Sequence, residues 1–422
     1  MAGPLAPYCF ITFGCIILWS LYRLIWGSRN FDSLTFFYFF SLFFFGIAPL
    51  VQYVQGLTLA PMYDEELAEI DYLRLNIVLM GVFVIFEIVY RLTFKYSGRF
   101  LETDSASSSA RPVLLVMAFV FIVLAIFLWY QQFNLQNILL RGGDEDQLRN
   151  DENKMVGLLC GKCMRYIPMS MATLYLMYGK SGWVKWLLLA VGVFCCFPLG
   201  VARLQIAPAY LPFIMIVLPK LKKMRMLMVS SFVGAILFLF PLLHGFREKD
   251  VDLSEFNLFD FSFLNQLHFD SYASFAYILK EQFVTRGEQL MGVLFFWVPR
   301  SLWADKPIES GRMIAETFDL GIGDFTNIAV NFFAEGYLNY GLIGVALFAL
   351  VIAYVCARLD RSFWSDERNL SKPAVVYYFS WLGILVFVLR GDLMSGFSYT
   401  IGIMMAHKIS EVVVLRKVRT GS

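Results

Sequence analysis

Charge is scarce in this chain: 16% of its 422 residues are Asp, Glu, Lys or Arg, against roughly 25% in a soluble domain. With 59% of the residues hydrophobic, a soluble fold of this size would have to expose much of its apolar surface, so that class is excluded. Histidine is nearly missing, at three residues. No HExxH, Walker loop, GxSxG or carboxylate pair with supporting metal ligands occurs, which removes the zincin, P-loop and serine-hydrolase chemistries that need them. The seven cysteines (Cys9, Cys15, Cys160, Cys163, Cys195, Cys196 and Cys356) are odd in number and lie in or beside apolar runs, so no disulfide framework is expected. Cys160-Gly-Lys-Cys163 has CxxC spacing but no second pair and no nearby histidine, and small buried apolar residues are a better reading than a metal or redox site. The first apolar run has no basic flank before it and is long enough to span, so a cleavable signal peptide is not expected. The net charge of +2 says little about partners and gives no argument for nucleic acid.

What the chain has instead is apolar length. Runs of about 18 or more apolar residues recur from end to end, the signature of spanning helices. The expected fold class is therefore an all-α polytopic membrane protein. About eleven transmembrane helices are expected, near 5–25, 34–56, 72–92, 112–131, 158–178, 183–200, 203–219, 226–243, 327–357, 374–390 and 394–414. The ninth is long enough to be tilted or broken near Gly336 and Gly341.

Lysines and arginines of the short loops set the orientation. Arg23, Arg29, Arg91, Lys95, Arg99 and Arg111 fall on one side, followed by Lys180, Lys185, Lys220, Lys222, Lys223 and Arg225. Arg358, Arg361, Arg368, Lys372, Arg416, Lys417 and Arg419 fall there too, whereas the opposing loop 57–71 carries Asp64, Glu65, Glu66, Glu69 and Asp71 and no base. The alternation puts the C-terminus in the cytoplasm and the short N-terminus outside. One integral membrane domain is expected, made of an N-terminal bundle (1–243), a large outer loop (244–326) and C-terminal helices (327–422). The stretch TDSASSSA, 103–110, reads as a flexible cytoplasmic linker. No internal repeat is evident, which weakens the case for an inverted-repeat transporter.

The outer loop is too aromatic to be a solvated tether. Phe275, Ile278, Leu279 and Phe283 fall at helical spacing with Lys280, Glu281 and Arg286 on other faces, which predicts amphipathic helices in the interface plane. GEQLMGVLFFWVP comes next, an apolar run too short to span. After it, WVPRSLWADKPIESG (297–311) concentrates Arg300 and Lys306 between Pro299 and Pro307, with Trp297 and Trp303 suited to the interface.

Outer-side bases run against the charge rule. Arg203, Arg247, Arg286, Arg300, Lys306 and Arg312 are all placed there. Arginine suits planar, bidentate recognition of phosphate oxygens, so their convergence points to an anionic lipid-linked ligand; snorkelling to headgroups is the alternative for any one of them. Glu335 lies one or two turns into the ninth span, where a charge costs on the order of 2.5–3.5 kcal/mol. It is either a carboxylate satisfied by an arginine inside the bundle or a general base that takes a proton from a sugar hydroxyl. Tyr337, Tyr340 and Trp303 are candidates for stacking on sugar rings, although aromatic belts are common at interfaces. Lys162 and Arg165 lie one turn apart and could also face an outer cavity. His244 and His268 are bases or surface residues, and His407 reads as structural. The acidic run with Asp144, Glu145 and Asp146 could hold a hard cation, but without an EF-hand pattern a solvated loop is the better reading, and no metal site is expected.

FFWVPRSLWADKP, then ESGRMIAETF, then NIAVNFFAEGYLNYGLIGVALF resemble the C-terminal half of the O-antigen polymerases (Wzy, the oligosaccharide repeat-unit polymerases). That family shows a P-R-S-[IL]-W-x-x-K-P box in a periplasmic loop, then E-x-[YL]-x-N-x-G-x-x-G, which here is Glu335, Tyr337, Asn339, Gly341 and Gly344. GVARLQIAPAYLPFIMI is similar to the stretch around the family's earlier periplasmic arginine, which falls on Arg203. Of the R-x10-G motifs described for some members, Arg300 to Gly311 is intact; eleven residues after Arg203 stands Ile214, and after Arg141, Glu152. The resemblance covers roughly 195–357.

The resemblance implies a GT-C-like helical bundle in a bacterial inner membrane, N-terminus periplasmic, and a glycosyltransferase polymerising undecaprenyl-diphosphate-linked repeat units for O-antigen or a related polysaccharide of lipopolysaccharide-type surfaces. Donor and acceptor would both be lipid-linked oligosaccharides, and membrane lipids and a chain-length regulator protein the other partners. The sugar–diphosphate bond would supply the energy, with no cofactor. On this reading Arg203 and Arg300 hold the donor diphosphate, Arg247, Arg286 and Lys306 assist or hold the second substrate, and Glu335 activates the acceptor hydroxyl. A polymer ligase and a transporter (flippase) of lipid-linked oligosaccharides are the alternatives.

Overall fold

The computed structural model describes residues 3–27, 29–56, 67–96, 98, 101, 108–139, 154–178, 182–201, 203–239, 264, 269–318, 328–365 and 369–417. Among them the structure is helical, apart from one short antiparallel pairing of Ser108–Ala110 with Leu415–Lys417. Among the described residues six helices are long and apolar enough to cross a bilayer: Ala6–Ile25, Ser33–Gln55, Glu69–Tyr96, Val113–Tyr130, Phe332–Ser365 and Lys372–Arg390. Trp183–Cys195, Gln205–Val217 and Arg225–Phe238 are apolar but shorter. The chain is an all-α, multi-pass membrane protein.

Its contacts divide it into two compact units, each drawn from three stretches. The first comprises Met1–Gly98, Asn257–Arg361 and Leu385–Phe397; the second comprises Arg99–Phe256, Ser362–Ile384 and Ser398–Ser422.

The first unit is organised around the helix Ser33–Gln55. Asp32 caps its start, accepting from the Thr35 amide at 2.8 Å and the Thr35 hydroxyl at 2.7 Å, and so satisfies donors that the first turn leaves free. The run FFYFFSLFFFG beyond this cap is buried on nearly every side, with Phe37 stacked on Phe86 at 3.9 Å. Pro49 has no N–H for the carbonyl one turn back, and its ring crowds that carbonyl. The helix widens to a π-turn over Leu42–Ile47 just before it, with Ala48 N–H donating to the Phe43 carbonyl. Glu69–Tyr96 presents Leu75, Leu79, Val82, Phe83, Phe86 and Tyr90 along one face at three- and four-residue steps. Buried carboxylates gather near this capped start and the late turns of Glu69–Tyr96: Glu87 meets Arg23, Arg91 and the Tyr38 hydroxyl, and Asp360 takes the amide and hydroxyl of Ser33 and the hydroxyl of Tyr90.

Three short helices of the expected outer loop belong to this unit: Ser271–Lys280, Glu288–Leu294 and Ser310–Thr317. The amphipathic spacing predicts a one-sided surface helix near 275–283. The observed helix differs, because Ser271 through Ile278 are all buried, making it a core element. The short apolar run is indeed too short to span, a helix of seven residues.

The long helix Phe332–Ser365 is broken, as its glycines lead one to expect. Tyr340 (φ −145°) and Gly341 (φ 61°) leave helical geometry, and Gly341 occupies the left-handed region that glycine enters without a Cβ penalty. Across the break, Gly336 and Gly344 touch backbone to backbone: a Cβ on Gly344 would overlap the Gly336 carbonyl oxygen.

In the second unit, Val113–Tyr130, Ile167–Tyr178, Trp183–Cys195 and Arg203–Val217 pack with parts of the last two helices. Pro212 has no N–H to give the Pro208 carbonyl inside Arg203–Val217. The Ser380 hydroxyl supplies that donor at 3.1 Å. Since Ser380 spends its proton there, His407 Nε2, 2.5 Å away, is the donor to Ser380 Oγ, and His407 Nδ1 accepts from Ser170. His407 is structural, as its sequence context implies: it relays a hydrogen bond to a carbonyl orphaned by proline.

Candidate functional site

Buried polar side chains converge in the first unit, around the N-terminal half of the broken helix. Asn331 starts it. Its Oδ1 accepts from the amides of Phe333 and Ala334, both at 3.0 Å, and its Nδ2 donates to the Ser271 carbonyl at 2.7 Å. One side chain thus caps the helix and ties it to Ser271–Lys280.

A turn later comes Glu335, which is fully buried. Its Oε2 accepts from the Ser310 hydroxyl at 2.9 Å and its Oε1 from the Leu393 amide, also at 2.9 Å. Leu393 is the first residue of the helix Leu393–Val414, so the carboxylate sits at the partially positive end of a helix. Among the described residues no lysine or arginine pairs with it. This departs from the structural alternative expected of it, which called for an arginine: a hydroxyl and an amide do that work, and they leave the carboxyl accepting hydrogen bonds with no neutralising cation. Such a group is suited to receiving a proton.

Asn339 links this turn to the loop. It donates to the Glu335 carbonyl at 2.8 Å and accepts from the Leu290 amide at 2.8 Å, one of the donors that the start of Glu288–Leu294 leaves unpaired. Asn339 also floors an open groove of about 430 Å³, lined by Val284, Arg286, Tyr340, Ile343 and Leu347. Arg286 is exposed and takes a left-handed backbone (φ 56°) beside Gly287. Tyr340, at the helix break, is about half exposed. Tyr337 is buried, and its ring meets Phe275.

The box at 299–307 folds back on itself. Arg300 donates to the Lys306 carbonyl at 2.7 Å and the Pro307 carbonyl at 3.4 Å. Lys306 donates to the carbonyls of Phe296 and Val298 at 2.5 and 2.9 Å, in the turn that follows Glu288–Leu294. The two cations that stand out in sequence hold this turn; Arg300 remains exposed and Trp303 is half-buried against Phe295. Gly311, the glycine of R-x10-G, has a packing reason, because a Cβ there would overlap the Ile328 carbonyl oxygen.

No family model, curated protein or solved structure matches the chain.

Asp270 and Arg390 were not singled out in sequence. Asp270, buried, accepts from Arg390 at 3.1 Å and from the Ala329 amide at 2.9 Å. Burial pushes its carboxyl up to about 6, against the opposing pull of Arg390. Arg390 closes an apolar run at an end expected to lie outside, and that breach of the charge rule was the available signal. Ser310 carried none, since nothing local distinguishes a serine that donates to a carboxylate 25 residues on.

The other expected residues lie elsewhere. Arg203 begins the helix Arg203–Val217 of the second unit, and its side chain lies outside the described residues. Arg247, His244, His268, Asp144, Glu145 and Asp146 fall outside them altogether. Among the described residues no cluster of histidines, cysteines or carboxylates could hold a metal ion.

Proposed function

We propose that this chain is a membrane glycosyltransferase that polymerises undecaprenyl-diphosphate-linked oligosaccharides at the outer face of a bacterial inner membrane. The observation that carries the reading is Glu335: a buried carboxylate, held by one hydroxyl and one amide, without a cationic partner among the described residues. The likeness of 299–307 and 335–344 to the repeat-unit polymerases supports the same conclusion. In the proposed step an acceptor hydroxyl oxygen attacks the anomeric carbon of the donor's linking sugar. The bond from that carbon to the diphosphate oxygen breaks, the lipid diphosphate departs with the electron pair, and the hydroxyl proton passes to Glu335. Arg203 and Arg300, helped by Arg247, Arg286 and Lys306, would offset charge on the leaving diphosphate, a preorganised electrostatic role. Tyr340, half exposed at the helix break, would be the ring offered to a sugar. The proposal includes eleven spans, a periplasmic N-terminus and a cytoplasmic C-terminus.

The deciding assay is purified protein incubated with lipid-linked repeat units alone and resolved on a gel. A ladder of chain lengths is expected from the native chain, and none from Glu335→Gln. A second reading, transport of the same lipid-linked sugars between leaflets, gains support from the broken helix, since interrupted helices also form transporter sites. Movement of substrate across reconstituted vesicles without any ladder would replace the first reading by the second.

A further inference from the structure

One buried arginine of the second unit takes no part in the proposed transfer. Arg165 lies in the tight turn Met164–Tyr166, between the helices Lys154–Lys162 and Ile167–Tyr178, and is 6% exposed. Its Nη1 lies 3.5 Å from the Gly200 carbonyl oxygen, and its guanidinium carbon is 5.5 Å from the centre of the Phe127 ring. Nε and Nη2 have no hydrogen-bond partner among the described residues. No carboxylate of the described residues pairs with this arginine.

The geometry of the guanidinium makes this pattern specific. Nε–H and Nη2–H point the same way and form the edge that receives two oxygens of one planar or tetrahedral oxyanion in parallel. The opposite side is already fixed by Gly200 and Phe127, so the open edge is aimed in advance. Leaving charged donors buried without acceptors is unfavourable, and a bound oxyanion would relieve it. One turn earlier, the Lys162 ammonium lies 2.5 Å from Ser398 Oγ and 4.6 Å from the centre of the Tyr399 ring. A second cationic side chain thus stands one turn from Arg165 along the chain, held by Ser398 and Tyr399.

We propose that Arg165 anchors a phosphate-binding site, gripping two oxygens of one phosphate group through Nε and Nη2, with Lys162 as a supporting cation. The phosphate comes from a lipid headgroup or from free phosphate in solution; the chemistry of recognition is the same. The site belongs to the second unit and does not depend on the polymerase reading.

The test uses full-length protein, delipidated in detergent, titrated in parallel with inorganic diphosphate and with short-chain phosphatidylglycerol. Binding is read by ligand-dependent thermal shift and by mass of the intact complex. A response to either probe is expected in the native protein; the lipid alone marks a headgroup site, and inorganic diphosphate marks a free-phosphate site. Arg165→Lys keeps the charge and loses the paired edge, and should weaken binding about tenfold; Arg165→Gln should weaken it about a hundredfold. Should Arg165→Gln not fold, Arg165→Lys and the Nε–H resonance of native Arg165, which must move on adding the responsive probe, carry the decision. No response to either probe, or undiminished affinity in Arg165→Lys, overturns the proposal.

Discussion

At Glu335 geometry and chemistry can be separated by substitution. Glutamine keeps the shape: its Oε1 can still accept from the Leu393 amide, and its Nε2 can donate to Ser310 Oγ, which then accepts. Glu335→Gln should therefore fold normally and lower chain growth by about 10²–10⁴, the usual worth of a positioned general base. Alanine removes both acceptors and should cost about 1–3 kcal/mol for each donor left buried and unpaired, visible as a lower melting temperature before any activity is measured. Arg300 is a different case. Its contacts close a turn on the surface, so Arg300→Ala should cost only about 1 kcal/mol in stability and yet abolish long polymer; persistence of long ladders would remove the diphosphate role assigned to it. Glu335 and Arg300 were both legible in the sequence, because an acid inside an apolar run and a base on the wrong side of one are conspicuous. Their partners were not. Ser310, Leu393 and the carbonyls of 306 and 307 act through backbone geometry or through contacts far along the chain, and neither leaves a local mark.

Among elements, the one with most consequence is the half-helix from Asn331 to Asn339. Its cap, its carboxylate and its link to the loop are all polar and all buried, which fixes its rotation about its own axis. Asn331→Ala should cost about 1 kcal/mol through the cap alone. Gly344→Ala should be worse, since no rotamer relieves a Cβ set against the Gly336 backbone, and poor membrane accumulation is the expected readout. Asp270 gives this element a pH signature. Its carboxyl titrates at about 6 when folded and 3.8 in the reference state, so the folded protein holds the proton more tightly than the unfolded chain. The associated stability is fully present below about pH 4 and is lost as pH rises through about 6. The melting temperature of the native protein should fall over that interval, and the fall should be smaller in Asp270→Asn. The break in this helix was legible in its glycines. The burial of Ser271–Lys280 on every side was not, because polar residues such as Ser271 and Ser274 disguise a core helix as an amphipathic one.

The described residues follow the hydropathy of the sequence: helix occurs in each stretch expected to span, and among the described residues six helices have the length and composition to cross alone. An odd number of spans puts the termini on opposite sides. Fluorescent-protein fusions should glow at the C-terminus and stay dark at the N-terminus if eleven is right; two bright termini would require an even count. The division into two units was not legible, since periodicity reports which residues seek burial and says nothing of which neighbours bury them. That interleaving also sets a timetable. Asp270 is made 120 residues before Arg390, and Glu335 58 residues before Leu393. At about 5–20 residues per second, the ribosome leaves Asp270 waiting roughly 6–24 seconds for its partner. Each carboxylate thus waits for one of its final partners while the chain is still being made, and an insertion factor that shelters half-finished helices would matter more to this protein than to one whose polar contacts are local.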